Sequence, residues 1–189
     1  MKKIITTIAV FASLAIYSQV RIGKSSTNGL SSTSVLLEFG DTKDKGIILP
    51  YVETVPSGTN DAKGGTLIFD VSANDQYKVR VKNENAGWTD LNNISGFSST
   101  VETVVKPLQQ APLADNPRGK AIIGASATTT EGVLVLESTE KAMVLPIVED
   151  YKAILNPSPG TLAFLKHPTD SAKHRLIVFN GQTWSFWKP

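Results

Sequence analysis

A pattern of residues that occurs twice along the chain is the strongest constraint on its fold. The first copy has ILPYVE at residues 48–53, GTLIF at 65–69 and then Trp88. The second copy has, in the same order, VLPIVE at residues 144–149, GTLAF at 160–164 and Trp184. Upstream, Ile-Gly pairs precede apolar runs that end in Glu38 and Glu137. Self-similarity of this kind predicts two copies of one folded unit.

The residues within each copy favour strands. Short runs of β-branched and aromatic residues are separated by Gly, Pro, Asn and Asp, which is typical of strands joined by turns. Residues 77–82 alternate between apolar and basic side chains, as a strand covered on one face does, and residues 71–75 suit a hairpin loop before it. No window shows a convincing helical period. We therefore expect an all-β protein made of two tandem copies of a small antiparallel β-meander unit.

Composition shifts divide the chain into four segments. We predict a signal peptide at residues 1–18, a first β repeat at 19–91, a linker at 92–120 and a second β repeat at 121–189. The linker assignment is based on its serines, glycine and three prolines, although part of it, residues 100–105, could instead form an extra strand.

The N-terminal residues predict export. Lys2 and Lys3 precede a mostly apolar run at residues 4–16, as in a bacterial secretory signal. The run is shorter than the roughly 20 apolar residues that span a bilayer, and we expect cleavage after Ser18. The mature chain would then have no transmembrane segment and would be secreted, to the periplasm or the cell surface. With no cysteine, the chain forms no disulfide and uses no thiol chemistry.

The charge distribution argues against nucleic acid as a partner. Without Lys2 and Lys3 the chain has 17 basic and 17 acidic residues, and they are interspersed. Binding to phosphates requires clustered basic side chains.

The repeated unit resembles units that recur in secreted and cell-surface proteins of Bacteroidota, some of them beside tail-fibre-like modules. The residues that carry the resemblance are GGTLIFD at 64–70, KVRV at 78–81 and Gly-Trp at 87–88. They cover the larger part of a copy and are structural residues. The resemblance implies a location in the envelope or at the cell surface.

One group of residues has the donor types of a zinc site. His167, Asp170 and His174 lie close together in the sequence, and imidazole with carboxylate is a zinc-binding combination. Their spacing fits no established motif, and the repeat places them in a turn between strands. We expect a solvated loop, and no cofactor or metal.

Two further groups have a functional and a structural interpretation. Asp70, Ser72 and Asn74 alternate as in the start of a calcium loop, but the required glycine and closing glutamate are missing, so a β-turn is favoured. Glu53 and Glu149 occupy equivalent positions and could form a glycosidase pair, although equivalent positions in a repeat more often share a structural role.

The copies differ on one face of one strand. Where the first copy has Arg80 and Lys82, the second has Ile177 and Phe179. Large apolar patches are rarely left in water, so the other repeat, the linker or a second chain should cover this face.

The last strand carries further aromatic side chains. Trp88 and Trp184 are expected in the core, whereas Phe186 and Trp187 could equally face a ligand. We predict a non-enzymatic structural or interaction module that docks onto another copy or another envelope protein through Ile177, Phe179, Phe186 and Trp187. The alternatives are a carbohydrate-binding module that uses the C-terminal aromatics, and a hydrolase whose site the sequence does not locate.

Overall fold

The computed structural model describes residues 19–23, 30–40, 43–57, 62–109, 119–130 and 132–188. The predicted signal peptide at 1–18 lies outside this part, as does most of the second half of the predicted linker. The described residues form fourteen strands and one α-helix, α1 (Ser99–Gln109). The strands are β1 (Val20–Ile22), β2 (Val35–Phe39), β3 (Ile47–Ile48), β4 (Tyr51–Val52), β5 (Leu67–Asp70), β6 (Lys78–Asn83), β7 (Gly87–Asp90), β8 (Ala121–Ile123), β9 (Leu134–Leu136), β10 (Ala142–Val144), β11 (Ile147–Val148), β12 (Thr161–Leu165), β13 (Arg175–Phe179) and β14 (Trp184–Trp187).

The two copies form sheets of the same topology. In the first sheet, β4 is parallel to β5, and β5, β6 and β7 follow as an antiparallel meander. In the second sheet, β11, β12, β13 and β14 repeat this arrangement. The register agrees as well, because Phe69 of β5 lies opposite Val79 and Phe164 of β12 lies opposite Leu176. This confirms the all-β fold with repeated units.

Both sheets contribute to one hydrophobic core. The alternation predicted for residues 77–82 is confirmed, since Val79 is fully buried while Lys78 and Arg80 lie on the other face. The equivalent strand of the second sheet contributes Val178 to the same core. The core therefore lies between the faces that the two copies have in common. Its buried members are Leu49, Phe69, Tyr77, Val79, Leu91, Val101, Val105, Leu162 and Val178.

Short strands at the start of each copy cross to the other copy. β10 of the second copy pairs in parallel with β2 of the first, which also pairs with β1. β3 of the first copy pairs with β12 of the second, next to β11 on the same edge. The two repeats are thus joined by backbone hydrogen bonds as well as by side-chain packing.

The second copy has its own parallel pair, β8 and β9, whose register corrects one sequence match. The N–H of Gly40 and the N–H of Glu137 donate to the equivalent carbonyls of Ile22 and Ile123. Glu137 therefore corresponds in space to Gly40 rather than to Glu38. Glu38 lies instead opposite Arg21, with which it forms an ion pair at 3.0 Å.

The segment after the first sheet folds onto the second copy. Asn92 and Asn180 are both buried, and both side chains donate to the carbonyl of Ile94, at 2.8 and 2.9 Å. Gly96 lies so close to Asn180 that an added Cβ would be 1.6 Å from its carbonyl oxygen. This part of the predicted linker therefore forms a close-packed junction.

Helix α1 corrects two expectations, that no segment is helical and that residues 100–105 could form a strand. Val101 and Val105 are one helical turn apart, and both are buried in the shared core. The Ser98 hydroxyl accepts a hydrogen bond from the Val101 N–H at 3.1 Å, which satisfies a free donor at the helix start. Burial of one helical face outweighs the weak helix propensity of the β-branched residues.

None of the helices in the described ranges is long and apolar enough to cross a membrane.

Candidate functional site

The outer face of the first sheet carries a network of ion pairs. The fully buried carboxylate of Asp70 lies 2.7 Å from the Arg80 guanidinium, which also contacts Asp90 at 2.9 Å. Lys78 adds a contact to Asp90 at 3.1 Å. Since these residues lie on three adjacent strands, the network ties β5, β6 and β7 together across the sheet.

Three of the four equivalent positions of the second sheet are apolar, and the fourth, that of Lys78, is Arg175. The strand registers align Asp70, Arg80 and Asp90 with three second-copy residues. Those residues are Leu165, Ile177 and Phe186. The two copies therefore share an inner face and differ in the chemistry of the outer face.

Ile177 is covered by its own repeat, which corrects the expectation that it contacts a partner. The side chain is fully buried in a second, smaller core with Val148, Ile154, Ala163 and Leu165. Ile154 follows a single 3-10 turn, Tyr151–Ala153, that begins where the Asp150 carboxylate accepts from the Lys152 N–H at 3.0 Å. This turn folds over the outer face of the second sheet and excludes water from Ile177.

Around this covered centre four aromatic rings reach the surface. Tyr151 contacts Phe186 and Trp184 edge to face, with ring centroids 5.1 and 6.0 Å apart. Phe179 packs against Trp184 at 5.2 Å. Phe186 keeps 45% of its surface exposed, and the other three are half-buried. We call Tyr151, Phe179, Trp184 and Phe186 the aromatic surface.

The remaining tryptophans lie elsewhere. Trp187 is 39% exposed on the opposite side of β14, where its indole N–H donates to the carbonyl of Leu91. Trp88 is half-buried on the outer face of the first sheet and donates to the carbonyl of Pro56 at 3.0 Å. Of the four predicted contact residues, Phe179 and Phe186 thus share one surface, whereas Trp187 and Ile177 do not belong to it.

The residues considered as zinc ligands form hydrogen bonds within the turn between β12 and β13. The Nδ1 of His167 accepts from the Asp170 N–H at 3.1 Å, and the ring of His174 bonds to the His167 carbonyl at 3.2 Å. Asp170 caps a 3-10 turn, and a hydrogen bond from Lys173 lowers the pKa of its carboxyl. Within the described ranges, no cluster of three or more His, Asp or Glu residues could hold a metal ion.

The other acidic candidates are likewise bound to neighbours. Asp70 accepts from the N–H and hydroxyl of Ser72, at 2.9 and 2.6 Å, in addition to its ion pair with Arg80. Glu149 of the second copy pairs with Lys43 at 2.7 Å. Glu53 and Tyr77 both belong to the first copy, where burial raises the pKa of Tyr77 and the charge of Glu53 adds to this rise. The described contacts do not bring the two glutamates together.

A cavity of about 400 Å³ lies beside the Lys43–Glu149 ion pair. Its lining residues are Lys43, Ile147, Glu149, Lys166, His167 and Pro168. The Nδ1 of His167 accepts a hydrogen bond within the turn, and the Glu149 carboxylate pairs with Lys43, so the imidazole and the carboxylate of this lining both make structural contacts.

No protein-family model, curated protein or solved structure matches this chain.

Proposed function

We propose that the chain is a non-enzymatic interaction module of the bacterial cell envelope or surface, and that the aromatic surface docks onto a protein partner. The observation that carries the proposal is the replacement of charged residues by apolar ones, among them the exposed ring of Phe186, on an otherwise repeated sheet. Where the first copy has Asp90 in an ion pair, the second has Phe186, which is 45% exposed. An exposed aromatic side chain is a typical anchor of a protein interface.

The packing of the rings favours docking to a protein. Tyr151 meets Trp184 and Phe186 at interplanar angles of 64° and 79°, so each ring restricts the others and loses little rotamer entropy on binding. Lys152 places its ammonium 6.0 Å from the Tyr151 centroid, which adds a cation at the rim. Leu155, in the segment that covers the sheet, adds a further exposed apolar side chain.

The same geometry argues against a sugar platform. A sugar ring stacks on the flat face of an aromatic ring and also bonds its hydroxyls to polar groups. In the edge-to-face pairs that Tyr151 forms with Trp184 and Phe186, the edge of one ring covers the face of the other. Trp187 is the most exposed of the three tryptophans, and its indole N–H donates to the carbonyl of Leu91.

The test uses a photo-crosslinking phenylalanine analogue at position 186 in the producing bacterium, followed by binding measurements with the protein it captures. We expect Phe186→Asp, which installs the first copy's residue, to weaken that binding at least about tenfold, as loss of an interface anchor does. Ile94→Asp is the matched control, because Ile94 is exposed but lies outside the aromatic surface, and it should leave binding unchanged.

Three results would contradict this proposal. The first is no crosslink at position 186, and the second is equal binding by Phe186→Asp and the unsubstituted protein. The third is binding to a glycan panel that Trp187→Ala abolishes, which would support the carbohydrate-binding alternative.

A further inference from the structure

The second strand of each copy has a different number of neighbours in the two copies. β2 is paired on both edges, with β1 and with β10. β9, its counterpart, is paired with β8, and the other described strands leave its second edge open. An open strand edge presents unpaired backbone N–H and C=O groups that can template another strand.

The exposure of equivalent side chains follows this difference. The registers of β1–β2 and β8–β9 align Leu36 and Leu37 with Val133 and Leu134. Leu36 and Leu37 are 2% and 0% exposed, whereas Val133 and Leu134 are 71% and 47% exposed. The second copy thus has an apolar end without the cover that the first copy receives. Terminal units of stacked repeats normally carry polar capping residues at such an end.

The chain itself shows which strand fits this edge. β2 is covered by β10, the third strand of the following copy, and the counterpart of β10 in the first copy is β3. β3 pairs with β12 along one edge, and Ile48 in this strand is 55% exposed. The first copy therefore has an accessible strand, β3, that is equivalent to the strand missing from the open edge of β9.

We propose that the open edge of β9 binds the Ile47–Ile48 strand of a second copy of this chain, so that chains associate head to tail. The junction repeats the contact that joins the two copies within one chain. A second pairing can form at the same junction, between β10 of the first chain and β5 of the second chain. It is equivalent to the pairing of β3 with β12 within one chain. Donor and acceptor surfaces differ, so the association is heterologous and extends into a ring or a filament.

This association does not use the aromatic surface, and its test is separate from that of the proposed function. Sedimentation of the purified protein should show oligomers whose mass rises with concentration. In Val133→Lys/Leu134→Lys, we expect at least about a tenfold loss in association, because burial of a leucine side chain contributes that much or more. Leu155→Lys, the matched control at an 83% exposed leucine elsewhere, should associate as the unsubstituted protein does, and so should Phe186→Asp.

A mixing experiment distinguishes this geometry from any symmetric one. Leu134→Lys weakens the acceptor edge and Ile48→Lys weakens the donor strand, so each variant alone should stay monomeric at a concentration at which the unsubstituted protein associates. Mixed in equal amounts, they still offer one intact donor and one intact acceptor, and should form a 1:1 dimer that grows no further. A monomeric unsubstituted protein at the highest concentration reached would overturn the proposal. So would unimpaired association of Val133→Lys/Leu134→Lys, or a mixture that stays monomeric.

Discussion

Exchanging the ion pair of the first sheet for the apolar pair of the second tests whether the two outer faces are alternative solutions at equivalent positions. Asp70 is fully buried and 2.7 Å from Arg80, whose side chain is 21% exposed. Arg80→Ile leaves the buried carboxylate with bonds to Ser72 alone. Removing one partner of a buried pair costs about 3–5 kcal/mol, and partial exposure of the arginine reduces this to about 2–4 kcal/mol.

The double variant Asp70→Leu/Arg80→Ile installs the residues that Leu165 and Ile177 provide in the second copy. Replacing a buried ion pair by apolar side chains is often neutral or stabilising, so its stability should return to within about 1 kcal/mol of the unsubstituted protein. Asp90 keeps Lys78 as a partner at 3.1 Å. Urea unfolding, monitored by tryptophan fluorescence, gives the free energies of unfolding of the single and the double variant. A cost below about 1 kcal/mol for Arg80→Ile, or a double variant no more stable than that single one, would refute the reasoning.

Two further predictions concern Gly96 in the junction and Glu38 in β2, the central strand of the three-stranded sheet. Gly96→Ala should lower the free energy of unfolding by about 3 kcal/mol or more, because its Cβ would overlap the Asn180 carbonyl. Gly65→Ala is the control, because a Cβ added at Gly65 has no atom within 4 Å, and the positive φ alone should cost about 1 kcal/mol. Equal losses of unfolding free energy in the two variants, measured in urea, would contradict the close packing at Gly96. At Glu38, burial raises the pKa, but hydrogen bonds from Ser31 and Arg21 outweigh it and hold the pKa below its usual 4.5. The charged form is therefore favoured by folding, and this stabilisation is present above about pH 4.5 and lost as the pH falls through the lowered value. Glu38→Gln should lower the free energy of unfolding at pH 7 by about 1–3 kcal/mol and make it fall less steeply as the pH drops below 4.5. Equal dependence of the unfolding free energy on pH in the variant and the unsubstituted protein would contradict this.

The sequence predicts the two sheets because the residues that specify their strands and turns lie close together in the chain and occur in both copies. The alternation of residues 77–82 and the turn residues after Asp70 specify a strand, a hairpin and the buried face. The difference between Arg80 and Ile177 was also visible, together with the need for a cover. The cover itself was not, because a single turn after Asp150 has no periodic pattern to detect.

Helix α1 was missed although its signals are in the sequence. Ser98 precedes it, and Glu102 and Lys106 form an i,i+4 ion pair at 2.6 Å. Its valines and threonines favour strands in isolation, so burial of Val101 and Val105 against the two sheets decides the outcome. Tertiary packing overrides local propensity here.

The sequence does not predict that β3 and β10 each pair with the other copy, and the reason is the length of these strands. These strands have two and three residues, too few to specify a partner by pattern. Their pairing is set by the position of the whole copy, which sequence comparison of the copies does not give.

The most direct test of an interlocked pair of repeats is a crosslink between β2 and β10. Met143 lies opposite Leu37 in the parallel register, and the chain has no native cysteine. Leu37→Cys/Met143→Cys should form a disulfide within one chain on oxidation, since paired strands bring Cα atoms within the range that a disulfide requires. Leu134→Cys/Met143→Cys, which tests pairing of β10 with β9 of its own copy, should remain reduced. A disulfide in the second variant but not the first, or a crosslink only between chains, would contradict the strand exchange on which this account depends.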